Sequence, residues 1–354
     1  MNDISPFLKQ LLSLPGLSAN EAPVRNCIAD KWRPLVDELS ISKLGSLHGL
    51  RFADQKKNAP SILLAAHMDA IGLMVTGIQD GFITVTEIGG IDPRILPGQA
   101  VTVHGRRDLP GIAALWADRL LNSNHKEKPP SLDRILVDVG LPAKDVNELV
   151  RVGDLISFAT VPTELTGKAL SGHTLDNRAS VAAVTLCLEE LRKVNLDWNV
   201  WAVATVQEEE TLAGAATSPF EISPDMVVAV DVTFAKGPGA NDHRAFPFGK
   251  GPTIGIGSNI HPYMCKQFKA AADEYEIPYA VEPMPKGSGT DAVYMQIVGS
   301  GIPSAVIGIP LRYMHTPVEE VVLTDIQRTG RLLAAFIRNL GADTLDELNR
   351  EMRP

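Results

Sequence analysis

The chain has 354 residues, more than one hydrophobic core usually supports, so two domains are expected. Hydrophobic residues make up 45% and charged residues 21%, the balance of a globular protein and not of a disordered or fibrous one. A net charge of −9 without any basic cluster argues against a nucleic-acid partner, and no apolar run approaches the roughly 20 residues that span a bilayer.

In chain order, residues 5–14 read as a short helix stopped by Pro15-Gly16, and Asn20 as the cap of a second helix over about 21–35. A hairpin-like pair follows at 38–41 and 47–52, then an apolar strand ending at His67. After Asp69 the character changes. Short β-like runs at 71–78, 82–88, 100–104, 111–115, 134–139 and 154–160 are separated by Gly, Pro and Asp, with one helix near 143–150. Such punctuation predicts a small β-barrel. From Gly172 an α/β pattern returns, with helices expected at 178–193, 264–275, 290–298 and 324–340 and strands at 199–206, 226–232 and 304–308. The economical topology is one α/β domain split in sequence (1–71 and 164–354), with a β-barrel domain inserted at 72–163. No signal peptide is expected from the first residues. Cys27, Cys187 and Cys265 share no metal spacing and read as inert core thiols of a reducing, cytoplasmic compartment.

Apolar runs of five to seven residues without polar alternation suit strands buried on both faces, as in a parallel sheet. The carboxyl ends of such strands share one ligand-binding edge. Acidic and imidazole side chains stand where these runs end. His67 and Asp69 close the run from Ser61, Glu208 and Glu209 the run from Trp201, and Asp231 the run from Met226. His315 follows the run from Ser304, and Asp176 opens a helical stretch. Singly, each has an ordinary explanation: a solvated strand-end pair, an acidic turn extended by Glu210, a helix cap, a loop histidine. Together, with Asp69 set aside as support for the site, they make five potential ligands and a spare Glu, of the borderline hardness that suits divalent metals. Two ions sharing one acid can activate water and clamp the oxygens of an amide under hydrolysis. His48, His104, His125, His173, His243 and His261 lack the strand-end context and read as surface or hydrogen-bonding residues.

The chain resembles the tetrahedral (TET) aminopeptidase family, cytosolic dinuclear metallo-aminopeptidases that include the glutamyl aminopeptidases. The resemblance runs through Pro15-Gly-Leu-Ser18, Ala66-His-Met-Asp69, Gly90-Ile-Asp-Pro-Arg94, Leu175-Asp-Asn-Arg178 and Thr205-Val-Gln-Glu-Glu209. It continues through Val230-Asp-Val-Thr233, Gly249-Lys-Gly-Pro252, Gly289-Thr-Asp-Ala292 and Arg312-Tyr-Met-His-Thr-Pro-Val-Glu319. It implies an α/β fold, a zinc-exopeptidase-like mixed sheet flanked by helices, with an inserted small β-barrel. It implies two divalent metal ions per subunit, Zn or Co foremost and Mn or Mg as further candidates. His67 and Asp231 would bind one, Glu209 and His315 the other, with Asp176 bridging. Glu208 would be the general base, Asp69 would support His67 or Glu208, and the peptide after Asp176 would be cis. Short peptides with a free N-terminus would be the substrates. Dimers made through the barrel would assemble into a tetrahedral dodecamer.

Two departures stand out. Ala70 replaces the family's usual Glu, and Glu210-Thr-Leu-Ala-Gly214 replaces Val-Gly-Leu-Arg-Gly. Neither removes a ligand or the base. A carbohydrate-active hydrolase of the cellulase type is one alternative, since paired carboxylates cleave glycosides. An inactive assembly homologue is another, and an N-acyl hydrolase or carboxypeptidase is a variant on the same scaffold. The loops at 285–291 and 254–261 are expected to shape the pocket for the N-terminal side chain.

Overall fold

The computed structural model describes residues 3–54, 59–116, 130–240 and 242–351. The chain opens with α1 (Ser5–Leu12), α2 (Ala22–Trp32), the hairpin β1 (Glu38–Ile41) and β2 (Leu47–Arg51), and β3 (Ser61–His67). Next come β4 (Gly72–Gln79), β5 (Phe82–Ile88), β6 (Ala100–His104), β7 (Asp108–Ala114), β8 (Leu136–Asp138), α3 (Ala143–Leu149) and β9 (Leu155–Phe158). Then follow β10 (Thr163–Leu165), β11 (Ala169–Gly172), α4 (Leu175–Leu191), β12 (Asn199–Thr205), α5 (Ala213–Ile222) and β13 (Met226–Phe234). The chain ends with β14 (Thr253–Gly257), α6 (Pro262–Glu274), β15 (Ala280–Met284), α7 (Ala292–Met295), β16 (Ser304–Arg312), β17 (Glu319–Val322), α8 (Leu323–Arg338) and α9 (Thr344–Glu351).

Among the described residues, eleven strands form one mixed sheet in the order β1-β2-β12-β3-β13-β16-β17-β11-β10, with β14 and β15 branching from β16. Its centre, β12-β3-β13-β16, is parallel and consists of the apolar runs. The β3, β12 and β13 ends therefore point the same way. In register, Thr205 lies opposite His67, and Asp231 opposite Gly308. The strands β4-β5-β8-β7-β6-β9 close an antiparallel barrel with its own core of Val, Ile and Leu. The larger core lies between the sheet and α1, α2, α4, α6 and α8.

Helix α4 is wrapped on all sides, and every residue from Leu175 to Leu188 is buried. Trp32 Nε1 donates to Thr185 Oγ1 on it at 2.8 Å. Helix α8 approaches at Gly330, where a Cβ would lie 2.7 Å from Leu186 Cβ and 2.8 Å from the Ala183 carbonyl. Only glycine permits that approach.

Three expectations need correction. Asn20 does not cap α2. Glu21 stands in that position, and its carboxylate instead accepts from the backbone N–H groups of Ala19 and Gln207. The helix expected at 290–298 shortens to α7, because its end unwinds into turns at Val298 and Gly301. Asp176 does not cap a regular helix: it and Asn177 have non-helical φ/ψ and are joined by a cis peptide.

Candidate metal centre

His67 ends β3 and is 2% exposed. Its Nε2 lies 3.2 Å from Asp176 Oδ1, 3.7 Å from Asp231 Oδ1 and 3.7 Å from Glu208 Oε2. On the other side, His315 Nε2 lies 3.4 Å from Asp176 Oδ2 and 3.3 Å from Glu209 Oε2. The two oxygens of Asp176 thus face one imidazole each. All six residues line one cavity of about 420 Å³, together with Thr233, Phe234, Glu282, Met284, Thr290 and Met314.

Local chain geometry explains the convergence. β12 ends at Thr205, and Gln207 adopts a left-handed φ of 59°, which turns Glu208 and Glu209 back over the sheet edge. Their backbone N–H groups donate to Asp69 Oδ1 at 3.0 Å and Oδ2 at 3.2 Å. Ser18 Oγ donates to Asp69 Oδ2 at 2.6 Å. Asp69 sits beneath the cavity, fully buried, with Oδ1 3.4 Å from His67 Nδ1. One carboxylate therefore ties the β3 end to the acidic turn after β12. Glu319, also buried, ties a second pair: it accepts from Asp176 N and His315 N, each at 3.0 Å. His315 Nδ1 donates to the Gly90 carbonyl of the barrel at 2.9 Å. Asp291 closes the base and accepts from Thr205 Oγ1 at 2.6 Å.

The electrostatics are those of crowded acids. Burial raises the pKa of Glu208, and Asp231, Asp291 and Asp176 raise it further against the pull of His67, to about 9. Burial likewise raises Glu209 and Asp231, with Asp176 adding to both. Burial takes Asp291 to about 6. Asp176 moves down, since hydrogen bonds from His315 and His67 outweigh its burial. Burial would lower His67, yet Glu208, Asp176, Asp69 and Asp231 carry it well above its ordinary value. His315 is raised, chiefly by its hydrogen bond to Asp176.

This donor set fits divalent cations. Two triads, His67/Glu208/Asp231 and His67/Asp176/Glu209, bring their donor atoms within 4.8 Å of one another. No Lys or Arg is among the described residues lining the cavity. Both imidazoles turn Nδ1 outward, to a carbonyl or to Asp69, and Nε2 inward to carboxylate oxygens, the orientation of a ligand with a supported ring. Buried carboxylates at this density need positive charge to stay ionised.

The sequence-predicted set, His67, Asp176, Glu208, Glu209, Asp231 and His315, is thus brought together, with Asp69 behind it. Glu319, Asp291 and Glu282 had no assigned role in the sequence. The available signals were acids at the opening or inside of short β-like runs and in the Gly-rich turn before Ala292. Of the two loops expected at the pocket, 285–291 contributes Ser288, Gly289 and Thr290. The 254–261 loop instead supplies Ile256, Gly257 and Ile260 to a separate cleft beside α6. His48 bonds Ser218 Oγ, His104 bonds Asp108 and Ser157, and His243 is exposed. His173 and His261 are buried rather than at the surface, and His125 lies outside the described residues. No helix among the described residues is long and apolar enough to cross a membrane.

Residues 49–332 match the family model described as M42 glutamyl aminopeptidase. A lysyl aminopeptidase from Pyrococcus furiosus is 36% identical over 343 residues, covering 94% of this chain and 96% of its own. The structure of aminopeptidase APDkam598 from Desulfurococcus kamchatkensis superposes with a TM-score of 0.90 at 34% identity, covering 98% of this chain and 97% of that one. Pyrococcus horikoshii TET1 peptidase, which can assemble into a tetrahedron or a large octahedral shell, gives a TM-score of 0.83 at 26% identity, covering 96% and 100%. The mixed sheet with its closed six-stranded barrel is the fold of the TET aminopeptidases, a class of peptide-bond hydrolases. The chain belongs to the M42 glutamyl aminopeptidase family.

Proposed function

We propose that the chain is a dinuclear metallo-aminopeptidase that removes N-terminal residues from short peptides. The observation that carries this reading is Asp176, whose two oxygens face separate imidazoles, each backed by a further acid. His67 and Asp231 would hold one ion, Glu209 and His315 the other, and Asp176 both. Zn²⁺ and Co²⁺ suit this His/carboxylate set best, with Mn²⁺ and Mg²⁺ behind them. When bound, such ions supply Lewis-acid polarisation of a carbonyl and acidify a water.

The protein's own groups do the rest. Glu208 needs no place among the five ligands and takes the proton role, accepting one from the attacking water and passing it to the leaving amine. Asp69 holds the Glu208 backbone and faces His67 Nδ1, so it orients both base and ligand. The acids of the cavity also suit a free α-ammonium, which favours cleavage at the N-terminus over the interior.

The division into a catalytic unit, 1–71 and 164–354, and an inserted assembly module, 72–163, belongs to the same proposal. So does a homo-oligomer of dimers that builds a tetrahedral dodecamer in the cytoplasm. The separate barrel core and the assembling TET relative support it.

The test is digestion of paired free and N-acetylated peptides by Zn²⁺- or Co²⁺-loaded protein, read by mass spectrometry. Stepwise loss of residues from the free peptides alone is expected. Cleavage of the blocked set, or of oligosaccharides in the presence of chelator, would replace the reading. Glu208→Gln is expected to keep both ions and lower kcat about 10²–10⁴-fold. Loss of an ion would instead make Glu208 a ligand.

A further inference from the structure

Beyond the metal ligands, the cavity extends along the sheet and carries one acid the proposed chemistry does not use. Glu282 lies on β15, the strand beside β14, and lines the same cavity. Its Oε1 accepts from Thr233 Oγ1 at 2.7 Å, and its Oε2 accepts from Thr253 Oγ1 at 2.6 Å. Thr233 is two residues beyond Asp231 on β13 and so on the same face, roughly 7 Å further along the strand. The Glu282 carboxylate therefore stands one hydrogen bond past a point about two strand residues from the proposed metal ligand.

The cavity beside Glu282 is apolar-walled. Gly308, opposite Asp231, lets Thr253 and Glu282 close over the sheet at the cavity floor: a Cβ there would lie 2.2 Å from Thr253 Oγ1 and 3.1 Å from Glu282 Oε2. Phe234, Met284, Val306 and Met314 supply apolar surface around it. Two hydroxyl donors leave a carboxylate with lone pairs to spare. No described Lys or Arg side chain lines the cavity to neutralise it. Apolar walls and an acid at the far end match a long aliphatic stem carrying a cationic head.

We infer that Glu282 is the specificity-determining residue of the N-terminal side-chain pocket and selects lysine and arginine. The inference rests on the aminopeptidase reading of the metal centre and deepens it. A cationic head would meet a carboxylate already fixed by two threonines, so little of the contact is lost to ordering. An acidic N-terminal side chain would meet like charge and is rejected, a departure from the glutamyl preference in the family's description.

The experiment is a kcat/KM series on metal-loaded protein with lysyl, arginyl, norleucyl, leucyl and glutamyl 4-nitroanilides. Norleucine matches the lysine stem without its charge. Lysyl and arginyl substrates are expected to exceed norleucyl by about 10- to 100-fold, with glutamyl lowest. Glu282→Gln is expected to remove most of that ratio while norleucyl turnover stays within about threefold. The wild-type lysyl-to-norleucyl ratio stands even where the variant folds poorly. Faster release of norleucine or glutamate than of lysine overturns the specificity and leaves the aminopeptidase reading intact. A lysine preference retained in folded Glu282→Gln overturns the assignment to Glu282. Release of no residue at all overturns the aminopeptidase reading, and this inference with it.

Discussion

Asp69 shows how one side chain can set several others. It takes hydrogen bonds from Ser18 and from the backbones of Glu208 and Glu209, and faces the outer nitrogen of His67. Asn at this position keeps the shape but presents an amide donor to at least one N–H or imidazole that needs an acceptor. Asp69→Asn is expected to lower kcat or metal affinity about 10- to 100-fold, measured by steady-state kinetics and metal titration together. Unchanged values for both would reduce Asp69 to a packing role. The crowded acids give a second expectation for the metal-free protein. Glu208 is held up to about 9 from an ordinary 4.5, chiefly by burial. A raised acid keeps its proton in the folded chain after the unfolded chain has released its own, so stability falls as pH rises. The stabilisation is fully present below pH 4.5 and lost on the way to pH 9. Glu209, Asp231, Asp291 and His67 are raised too and act in the same direction. The Tm of chelated protein is therefore expected to fall from about pH 5 to 9, and Zn²⁺ to restore most of it at the alkaline end. A flat profile would mean that the acids relax apart without metal.

At the scale of elements, much of the site was legible because it follows from strand burial. The apolar runs ending at His67, Thr205 and Asp231 became the parallel centre, and the residues after them share its edge. Less legible were elements whose sequence lacks that signature. β14 and β15 carry Gly and Pro inside alternating or half-exposed runs. β17 opens with two glutamates, although Glu319 holds both Asp176 and His315. Helix α5 begins with small residues and contains Pro219, so its run has the composition of a loop. It forms because the chain turns tightly at Gly214, whose amide donates back to the Val206 carbonyl at 3.1 Å. A Cβ at Gly214 would lie 2.6 Å from both N and O of Val206, backbone atoms that cannot swing aside. Gly214→Ala is accordingly expected to destabilise the protein by about 1–3 kcal/mol and to disturb the Glu208–Glu209 turn. Denaturant unfolding with parallel kinetics checks it, and wild-type values in both would show that the turn has slack.

At the scale of the molecule, the barrel is more than an appendage. Its outgoing and returning strands, β4 and β9, are paired, and Ala70 and Pro162 line one cleft where the chain leaves and rejoins the sheet. Large apolar side chains stay exposed on it, Ile112 at 55% and Val152 at 69%, surface available to the proposed subunit contacts. Yet the barrel also reaches the candidate metal centre. The Gly90 carbonyl accepts a hydrogen bond from His315 Nδ1, and Gly89 N donates to Glu210 Oε1 at 2.6 Å. His315 itself has a left-handed φ of 60°, held by Glu319 on one side and the barrel loop on the other. Replacing residues 72–163 with a short Gly/Ser linker should leave the main sheet with its own core, and so folded. That chain is expected to lose assembly by light scattering. It should also bind the second ion about 10- to 100-fold more weakly by titration, while the His67–Asp231 ion is retained. Two ions bound as in the full chain would confine the barrel to assembly. Weakened binding at one site would mean that the inserted barrel holds a ligand in place, and so links metal occupancy to the integrity of the barrel.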